Sequence, residues 1–160
     1  MNSVDVVVPC YRYGLYLREC VQSVLSQADV ASRVLIIDDA SPDDTASISD
    51  QLAAEDSRIT VIHHRANMGH IATYNEGNAW TSAPYYLLLS ADDYLLPGAL
   101  QRAVRVLDRH PEVGFVFGMA LELSQNGATT EVRPFSDTLE VIEDVVMSGS
   151  EFIALTRFAK

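Results

Sequence analysis

The chain has 160 residues, with 22 acidic and 11 basic side chains and a net charge of −11 at neutral pH. This length fits one domain with a sizeable core, and the excess of acid argues against nucleic acid as a main partner, because phosphate backbones select basic surfaces. No apolar run approaches the roughly 20 residues that a membrane-spanning helix needs. We therefore expect a protein of the reducing cytoplasm, whose two cysteines form no disulfide framework.

Strand-like and helix-like segments alternate through most of the chain, which predicts an α/β fold. Apolar runs predict strands at residues 4–8, 34–37, 59–62, 86–89 and 113–117. Pro9 is expected to end the first strand, and the strand at 86–89 is expected to be buried on both faces. Helical spacing predicts helices over 15–27, after Ser41 as N-cap, over 70–80 with Ile71, Tyr74 and Gly77-Asn78 on one side, and from Pro97.

The pattern changes after Gly118. Residues 119–124 alternate between apolar and polar, Asn126-Gly127 is typical of a hairpin turn, and residues 128–133 would return antiparallel. A further helix is predicted to begin near Ser148.

Four polar loops follow four predicted strands, at residues 9–11, 38–41, 67–69 and 90–93. In a parallel sheet with right-handed crossovers these loops lie at one edge. The aromatic ring of Tyr11, the carboxylate of Asp39 and a helix N-terminus near Gly69 would therefore converge there. This set suits a nucleoside diphosphate, because the ring can stack on a base and the acid can accept hydrogen bonds from it.

The fourth loop carries two adjacent carboxylates, Asp92 and Asp93. Like charges side by side repel, which is tolerable with a cation or with full solvation. Oxygen ligands suit a hard cation, Mg²⁺ or Mn²⁺, which usually also holds substrate phosphates. On this pair alone, a metal site and a solvated turn remain equal alternatives.

The four motifs are Val-Val-Val-Pro-Cys-Tyr, Ile-Ile-Asp-Asp-Ala-Ser-Pro-Asp-Asp-Thr, Asn-Met-Gly-His-Ile-Ala-Thr-Tyr-Asn-Glu-Gly and Leu-Ser-Ala-Asp-Asp-Tyr. In this order and at these intervals they resemble the nucleotide-binding half of the GT-A-fold glycosyltransferases of family 2. The resemblance covers residues 4–118. It implies a Rossmann-like sandwich with a mostly parallel central sheet, flanking helices and, here, a C-terminal antiparallel hairpin.

The resemblance also implies roles for particular residues. The nucleotide-binding positions would be Pro9, Tyr11, Asp39, Gly69, Asn75 and Asp92. Among these, Pro9 and Tyr11 would line the base pocket, and Asp39 would hold the base, typically uracil. Asp93 would bind Mn²⁺ or Mg²⁺, which would neutralise the departing nucleoside diphosphate. Members of this type transfer a sugar from a nucleotide-diphospho-sugar, with inversion, to a glycan or lipid-linked acceptor, as in polysaccharide biosynthesis.

Three departures from the family pattern stand out. Ser90 replaces an Asp, and Tyr74 stands where an Arg commonly precedes the Asn. The general base normally lies on the acceptor-binding segment, and no acid after Gly118 fits a motif for it; the acids considered are Glu140, Glu143, Asp144 and Glu151. We therefore expect residues 1–118 to be the donor-binding core and 119–160 the start of a truncated acceptor-side segment.

Other interpretations remain open. A non-catalytic binding or assembly module could use the same fold. A sugar-nucleotide nucleotidyltransferase would need a Gly-rich basic loop after the first strand, and a dinucleotide fold would need Gly-x-Gly-x-x-Gly there, and both are absent. Peripheral placement at the inner membrane face and a homodimer are further alternatives.

Several polar residues are interpreted as structural. Asp5 is expected to be a hydrogen-bonding acid inside a strand, and Asp38 to cap the next helix and hold its loop. Cys10 has no His placed to activate it as a nucleophile. His63 and His64 lack the spaced partners of a zinc site and are expected to be solvated or core histidines.

Overall fold

A computed structural model describes residues 3–118, 120–123, 129–132 and 145–156. The chain divides into two compact units, Met1–Val104 and Arg105–Lys160. Each unit is described here by itself.

The first unit alternates strands and helices. Its strands are β1 (Ser3–Cys10), β2 (Ala31–Asp38), β3 (Ile59–His63) and β4 (Tyr85–Leu88). Its helices are α1 (Gly14–Leu25), α2 (Thr45–Glu55) and α3 (His70–Trp80), and α4 (Ala99–Arg109) begins in this unit.

The four strands form one parallel sheet in the order β3-β2-β1-β4. Cys10 pairs with Asp38, and Asp38 pairs with His63. The first three strands therefore end level with one another. The predicted α/β fold with a parallel central sheet is confirmed.

Helices cover both faces of this sheet. On one face, Val6 and Val8 of β1 belong to the same buried cluster as Leu17 of α1 and Leu52 of α2. On the other face, Val7 packs with residues from β2, β3, β4 and α3, namely Leu35, Ile37, Ile62, Leu88 and Trp80. Alternate residues of β1 thus serve two separate cores, as the strand period of two requires.

Helix α3 approaches the sheet through its smallest side chains. Thr73 and Gly77 are its buried residues, and a Cβ added to Gly77 would lie 2.3 Å from Cγ1 of Val7. Of the residues predicted to share one side of this helix, only Gly77 therefore faces the sheet. Ile71 is 62% exposed and Tyr74 is also exposed, because the close contact at Gly77 leaves no room for large side chains.

The first strand continues through Pro9 to Cys10, which corrects the expectation that Pro9 ends it. The backbone polar groups of Val7 point towards β4, since its carbonyl accepts a hydrogen bond from the N–H of Leu89 at 2.9 Å. Pro9 has the same orientation but lies beyond Val7–Leu88, the last residue pair between β1 and β4. Its missing N–H therefore removes no hydrogen bond of the sheet.

Two further expectations for this unit are wrong. Strand β4 is not buried on both faces, since Tyr86 is 43% exposed. The strand pairs with β1, and no other strand in the described segments pairs with its far side. Ser41 does not cap the second helix, because α2 begins at Thr45 with Asp44 as its N-cap residue.

In the second unit, residues 113–117 form no strand, which corrects that prediction. The predicted hairpin is present as β5 (Ala120–Leu123) paired antiparallel with β6 (Thr129–Val132), while its turn at Asn126-Gly127 lies outside the described residues.

The last helix is α5 (Gly149–Thr156). Ser148 caps it: the N–H of Glu151 donates to Oγ of Ser148, and the N–H of Ser148 donates at 2.7 Å to Oε2 of Glu151. Glu151 therefore has a capping role. The other three acids weighed as a general base, Glu140, Glu143 and Asp144, lie outside the described residues. No helix in the described segments combines the length and apolarity that crossing a bilayer requires.

Candidate functional site

The four parallel strands of the first unit end at one side of the sheet, here called the carboxyl edge. Hydrogen bonds between backbone groups join the loops that follow β1, β2 and β3. The N–H of Asp39 donates to the carbonyl of Cys10 at 2.9 Å, and the N–H of His64 donates to the carbonyl of Asp38 at 2.9 Å. The sheet therefore brings these predicted loops together.

The loop after β1 is fixed against the loop after β2. The N–H of Arg12 donates to Oγ of Ser41 at 3.0 Å, and the N–H of Gly14 donates to Oδ2 of Asp43 at 3.2 Å. Arg12 has a φ of 68°, in the left-handed region that non-glycine residues seldom adopt. Tyr11 is exposed beside these bonds and Pro9 is half-buried, so the ring of Tyr11 is available to stack on a ligand.

Asp39 lies at the centre of the carboxyl edge and is 4% exposed. Its Oδ1 accepts hydrogen bonds from Nδ1 of His64 at 2.6 Å and from the N–H of Met68 at 2.7 Å. Its Oδ2 accepts one from the N–H of Gly69 at 2.9 Å. Burial acts to raise the pKa of Asp39, but these hydrogen bonds outweigh it, so the pKa lies below its usual value and the group is ionised.

His64, predicted to be a solvated or core histidine, lies directly against Asp39. Its side chain is 5% exposed, and its Nε2 lies 2.6 Å from Oε2 of Glu76 on α3. His64 is thus neither solvated nor surrounded by apolar groups alone. Burial acts to lower its pKa, and the carboxylates of Asp39 and Glu76 raise it more, so the net shift is upward.

Pairing of the neighbouring strands could have revealed this contact. An Asp-Asp pair ends β2 and a His-His pair ends β3, and a parallel register that aligns Asp38 with His63 also brings Asp39 next to His64. We call Asp39, His64 and Glu76, together with the N–H groups of Met68 and Gly69, the Asp39 network.

A second histidine contact lies beside this network. Oδ1 of Asp38 accepts a hydrogen bond from the N–H of Ser41 at 2.9 Å, in agreement with its predicted loop-holding role. The prediction that Asp38 caps the next helix is wrong, because the N-cap residue of α2 is Asp44. Its Oδ2 lies 3.3 Å from Nδ1 of His63, whose Nε2 lies 2.9 Å from Oδ1 of Asp50. Over the described segments, no three His, Cys, Asp or Glu side chains form a group able to hold a metal ion.

Helix α3 carries two of the predicted site residues. Gly69 is its N-cap residue, with φ 82° and ψ 158°, a conformation essentially confined to glycine. Asn75 is exposed on the second turn. Tyr74, which replaces the expected Arg, packs edge-on against the ring of His70 at 5.6 Å between centroids, so this position contributes no cation.

The acid pair follows β4. Oγ of Ser90 donates to Oδ1 of Asp92 at 2.5 Å, and both Asp92 and Asp93 are exposed. Partial burial and then the charge of Asp92 raise the pKa of Asp93. A nearby cation would relieve this repulsion, so the chemistry of the pair fits a hard metal ion.

Helix α1 holds the loop that carries this pair. Sγ of Cys20 donates to the carbonyl of Ser90 at 3.5 Å, and the N–H of Leu95 donates to Oγ of Ser23 at 2.9 Å. Cys10, at the end of β1, is buried, and burial is the main cause that raises its pKa to about 11. Neither its burial nor its pKa suits a nucleophile.

Comparison with known proteins supports the same family. The sequence model of glycosyl transferase family 2 matches residues 5–154. The glycosyltransferase GlyG of Streptococcus pneumoniae is 32% identical over 90 residues, which are 56% of this chain and 30% of that protein. A glycosyltransferase of Haemophilus influenzae is 28% identical over 110 residues, or 69% of this chain and 34% of that protein. The chain thus spans about a third of the length of these relatives.

Solved structures agree on the fold. S. aureus TarS 1–349 in complex with UDP-GlcNAc aligns with a TM-score of 0.62 at 25% identity, covering 69% of this chain and 32% of that one. The mannosyltransferase PcManGT of Pyrobaculum calidifontis, in complex with GDP-Man and Mn²⁺, aligns with a TM-score of 0.60 at 23% identity, covering 65% and 32%. The family match covers nearly the whole chain and the architecture is the GT-A type, so this chain belongs to glycosyl transferase family 2.

Proposed function

We propose that this chain binds a nucleoside-diphosphate sugar at the carboxyl edge and is the donor-binding part of a glycosyltransferase. Residues 1–118 would form the donor core, and residues 119–160 would begin the acceptor-side segment. Support comes from the family match and from the neighbour solved with UDP-GlcNAc. A UDP-sugar is the proposed donor.

The observation that carries the proposal is the exposed pair Asp92–Asp93, which follows β4 at the same edge as Tyr11 and Asp39. Asp93 would bind Mn²⁺ or Mg²⁺, with Asp92 at the ribose or in the metal shell. The remaining ligands would be phosphate oxygens and water, the usual arrangement for Mg²⁺. The Mn²⁺ in one structural neighbour supports this choice.

The base would lie against Tyr11 and Pro9. Asp39 can assist, although three donors of the chain already occupy its carboxylate. An ionised carboxylate offers about four acceptor positions. One position therefore remains for an N–H of the base, which suits a single contact of the kind expected for uracil.

The diphosphate and sugar would lie towards Gly69 and Asn75 on α3. When bound, the cation would supply Lewis-acid neutralisation of the departing diphosphate. Direct displacement would invert the anomeric centre, and the acceptor would be a glycan or a lipid-linked glycan. The general base for the acceptor would come from outside residues 1–118.

Calorimetric titration tests the donor site. UDP, GDP, TDP and CDP are titrated into the 160-residue chain with and without Mn²⁺, and again into the variant Asp93→Asn. We expect UDP to bind with Mn²⁺, and Asp93→Asn to weaken that binding by about tenfold or more, because a metal-site contact is lost. Asp44→Asn is the matched control, since it removes one exposed carboxylate that makes no side-chain capping bond.

Two results would contradict the proposal. If the folded chain binds none of the four nucleotides, a non-catalytic module becomes the better explanation. If the 160-residue chain alone transfers sugar efficiently, it is more than a donor-binding part.

A further inference from the structure

The Asp39 network joins three elements of the sheet edge through one buried histidine. Asp39 follows β2, His64 follows β3, and Glu76 lies on α3. The two ring nitrogens of His64 lie 2.6 Å from Oδ1 of Asp39 and 2.6 Å from Oε2 of Glu76. These short distances describe two charge-assisted hydrogen bonds. The one to Asp39 is buried, whereas the one to Glu76 is partly open to solvent, since the side chain of Glu76 is 42% exposed.

When Asp39 and Glu76 are both ionised, only one protonation state of His64 satisfies both contacts. A neutral imidazole has one N–H donor and one acceptor nitrogen, whereas an imidazolium has two donors. Ionised carboxylates accept hydrogen bonds and donate none, so a neutral His64 would direct a lone pair at one of them. The charged groups that the described segments place against His64 are Asp39 and Glu76. Both favour the imidazolium.

The position of α3 depends on this network. Asp39 binds the N–H of Met68 and of Gly69, where the helix begins. His64 binds Glu76 in the middle of the same helix. The helix is therefore attached to the sheet edge at two points, and Asn75 lies next to the second point in sequence.

We infer that His64, in its protonated form, is a positioning residue that holds α3 so that Gly69 and Asn75 are placed for donor binding. This inference rests on the proposed donor function. Loss of the proton would break one of the two contacts and loosen the attachment of the helix. Donor affinity should therefore fall as the pH rises through the pKa of His64.

The variant Glu76→Gln gives a sharp test. The amide of Gln can donate a hydrogen bond to a neutral His64, while the other ring nitrogen still donates to Asp39. This variant therefore should need no proton on His64. UDP binding in the presence of Mn²⁺ is measured from pH 6.5 to 8.5 for the unaltered chain and for Glu76→Gln.

Any pH-dependent change in UDP or Mn²⁺ itself affects both proteins equally. The ratio of their affinities therefore reports the contribution of the His64 proton alone. We expect the unaltered chain to lose affinity relative to Glu76→Gln over this range, and a loss of about tenfold would correspond to a difference of one pH unit between the pKa of His64 in the UDP-bound and in the free chain. The variant His64→Gln should bind weakly with no such dependence. His63→Gln, which alters the neighbouring histidine, should keep the dependence.

Nitrogen NMR of the His64 ring gives a readout without any ligand. We expect both ring nitrogens to be protonated at pH 6.5, and the amide resonances of Met68 and Gly69 to shift as His64 titrates. An affinity ratio that stays constant with pH, or a neutral His64 ring at pH 6.5, would overturn this inference alone. Absence of UDP binding at every pH would instead overturn the proposed donor function, and the positioning role with it.

Discussion

Two buried aspartates hold opposite ends of helix α3, and they differ in the cation that neutralises them. At the carboxyl edge, Asp39 binds the N–H groups that begin the helix. At the other edge, Oδ2 of Asp5 accepts hydrogen bonds from the N–H of Ser82 at 2.7 Å and of Ala83 at 2.9 Å, just after the helix ends. Arg33 completes this second set with bonds of 2.9 and 2.7 Å to Asp5.

The partner cations have different chemistry. Arg33 is charged at every accessible pH, its side chain is 51% exposed, and it stacks over the ring of Trp80 at 4.6 Å. His64 is almost fully buried and titrates nearer neutrality. In both places an aspartate binds two backbone N–H groups at one end of α3. With Arg33 as its partner cation the attachment of the helix is permanent, whereas with His64, beside the candidate site, it depends on a proton.

The largest expected effect comes from breaking the permanent attachment. Asp5→Ala would leave the N–H groups of Ser82 and Ala83 and the guanidinium of Arg33 without their acceptor. We expect the free energy of unfolding to fall by about 3 kcal/mol, as measured by urea denaturation. The loss should be the same at pH 6.5 and at pH 9.

Asp5→Asn is the control, because it keeps one acceptor oxygen and should lose less stability. UDP affinity of the folded Asp5→Ala fraction should change little, since Asp5 lies at the opposite edge from the candidate site. A loss below about 1 kcal/mol would show that water replaces these hydrogen bonds, as it does at exposed ion pairs.

A smaller effect is expected at the other end of the helix. Gly69→Ala forces a side chain into a conformation that suits glycine, at a cost of about 2 kcal/mol, although a Cβ there would meet no atom within 4 Å. Relaxation of the backbone would also move the N–H that Asp39 binds. We expect lower thermal stability together with weaker UDP binding.

Gly98→Ala is the matched control, since Gly98 also has a positive φ, 81°, and an open Cβ position. It should lose stability through strain without disturbing the Asp39 network. If Gly69→Ala binds UDP as tightly as the unaltered chain, the start of α3 takes no part in UDP binding.

The smallest expected effect is a dependence of the free energy of unfolding on pH, which should arise from the attachment of α3 through His64 and not from the one through Arg33. The pKa of His64 is raised above its usual 6.5, so its contribution to stability is complete below pH 6.5 and is lost as the pH rises through the folded-state pKa. Each unit of upward shift corresponds to about 1.4 kcal/mol. The pKa of Asp39 is lowered, so its own contribution persists at alkaline pH.

Urea denaturation from pH 6 to pH 9 should therefore show falling stability in the unaltered chain and a smaller decline in His64→Gln. The pKa of His63 is also raised, first by Asp50 and then by Asp38. His63→Gln is therefore measured as well, to determine how much of the decline in stability with pH comes from His63. A decline that is identical in the unaltered chain and in His64→Gln would mean that the network does not depend on the proton.

Much of the first unit could be predicted from the sequence, because local pattern and tertiary structure agree there. The predicted helix at 70–80 matches α3 at both ends, and the other predicted elements up to residue 104 lie within a few residues of the observed ones. Strand ends followed by polar loops were enough to place the predicted site residues at one edge. Their roles in binding remain predictions.

The errors arise where tertiary contact overrides pattern. Ile71, Tyr74 and Gly77 were predicted on one side of α3, but only Gly77 packs on the sheet, because hydrophobicity does not indicate that a glycine makes the close contact. The apolar run at 113–117 forms no strand and belongs to neither sheet of the described segments. His64 was missed because its partners are 25 residues before it and 12 residues after it.

The contact between Gly77 and Val7 has a consequence for how this sequence can change. Because a Cβ at position 77 would overlap Cγ1 of Val7, the volumes at two sites 70 residues apart are limited jointly. A larger residue at 77 could be accepted only with a smaller one at 7, or with a shift of the helix away from the sheet. Substitution at either site alone is a poor route to redesign, whereas a paired exchange of volume keeps the helix at its present distance from the strand.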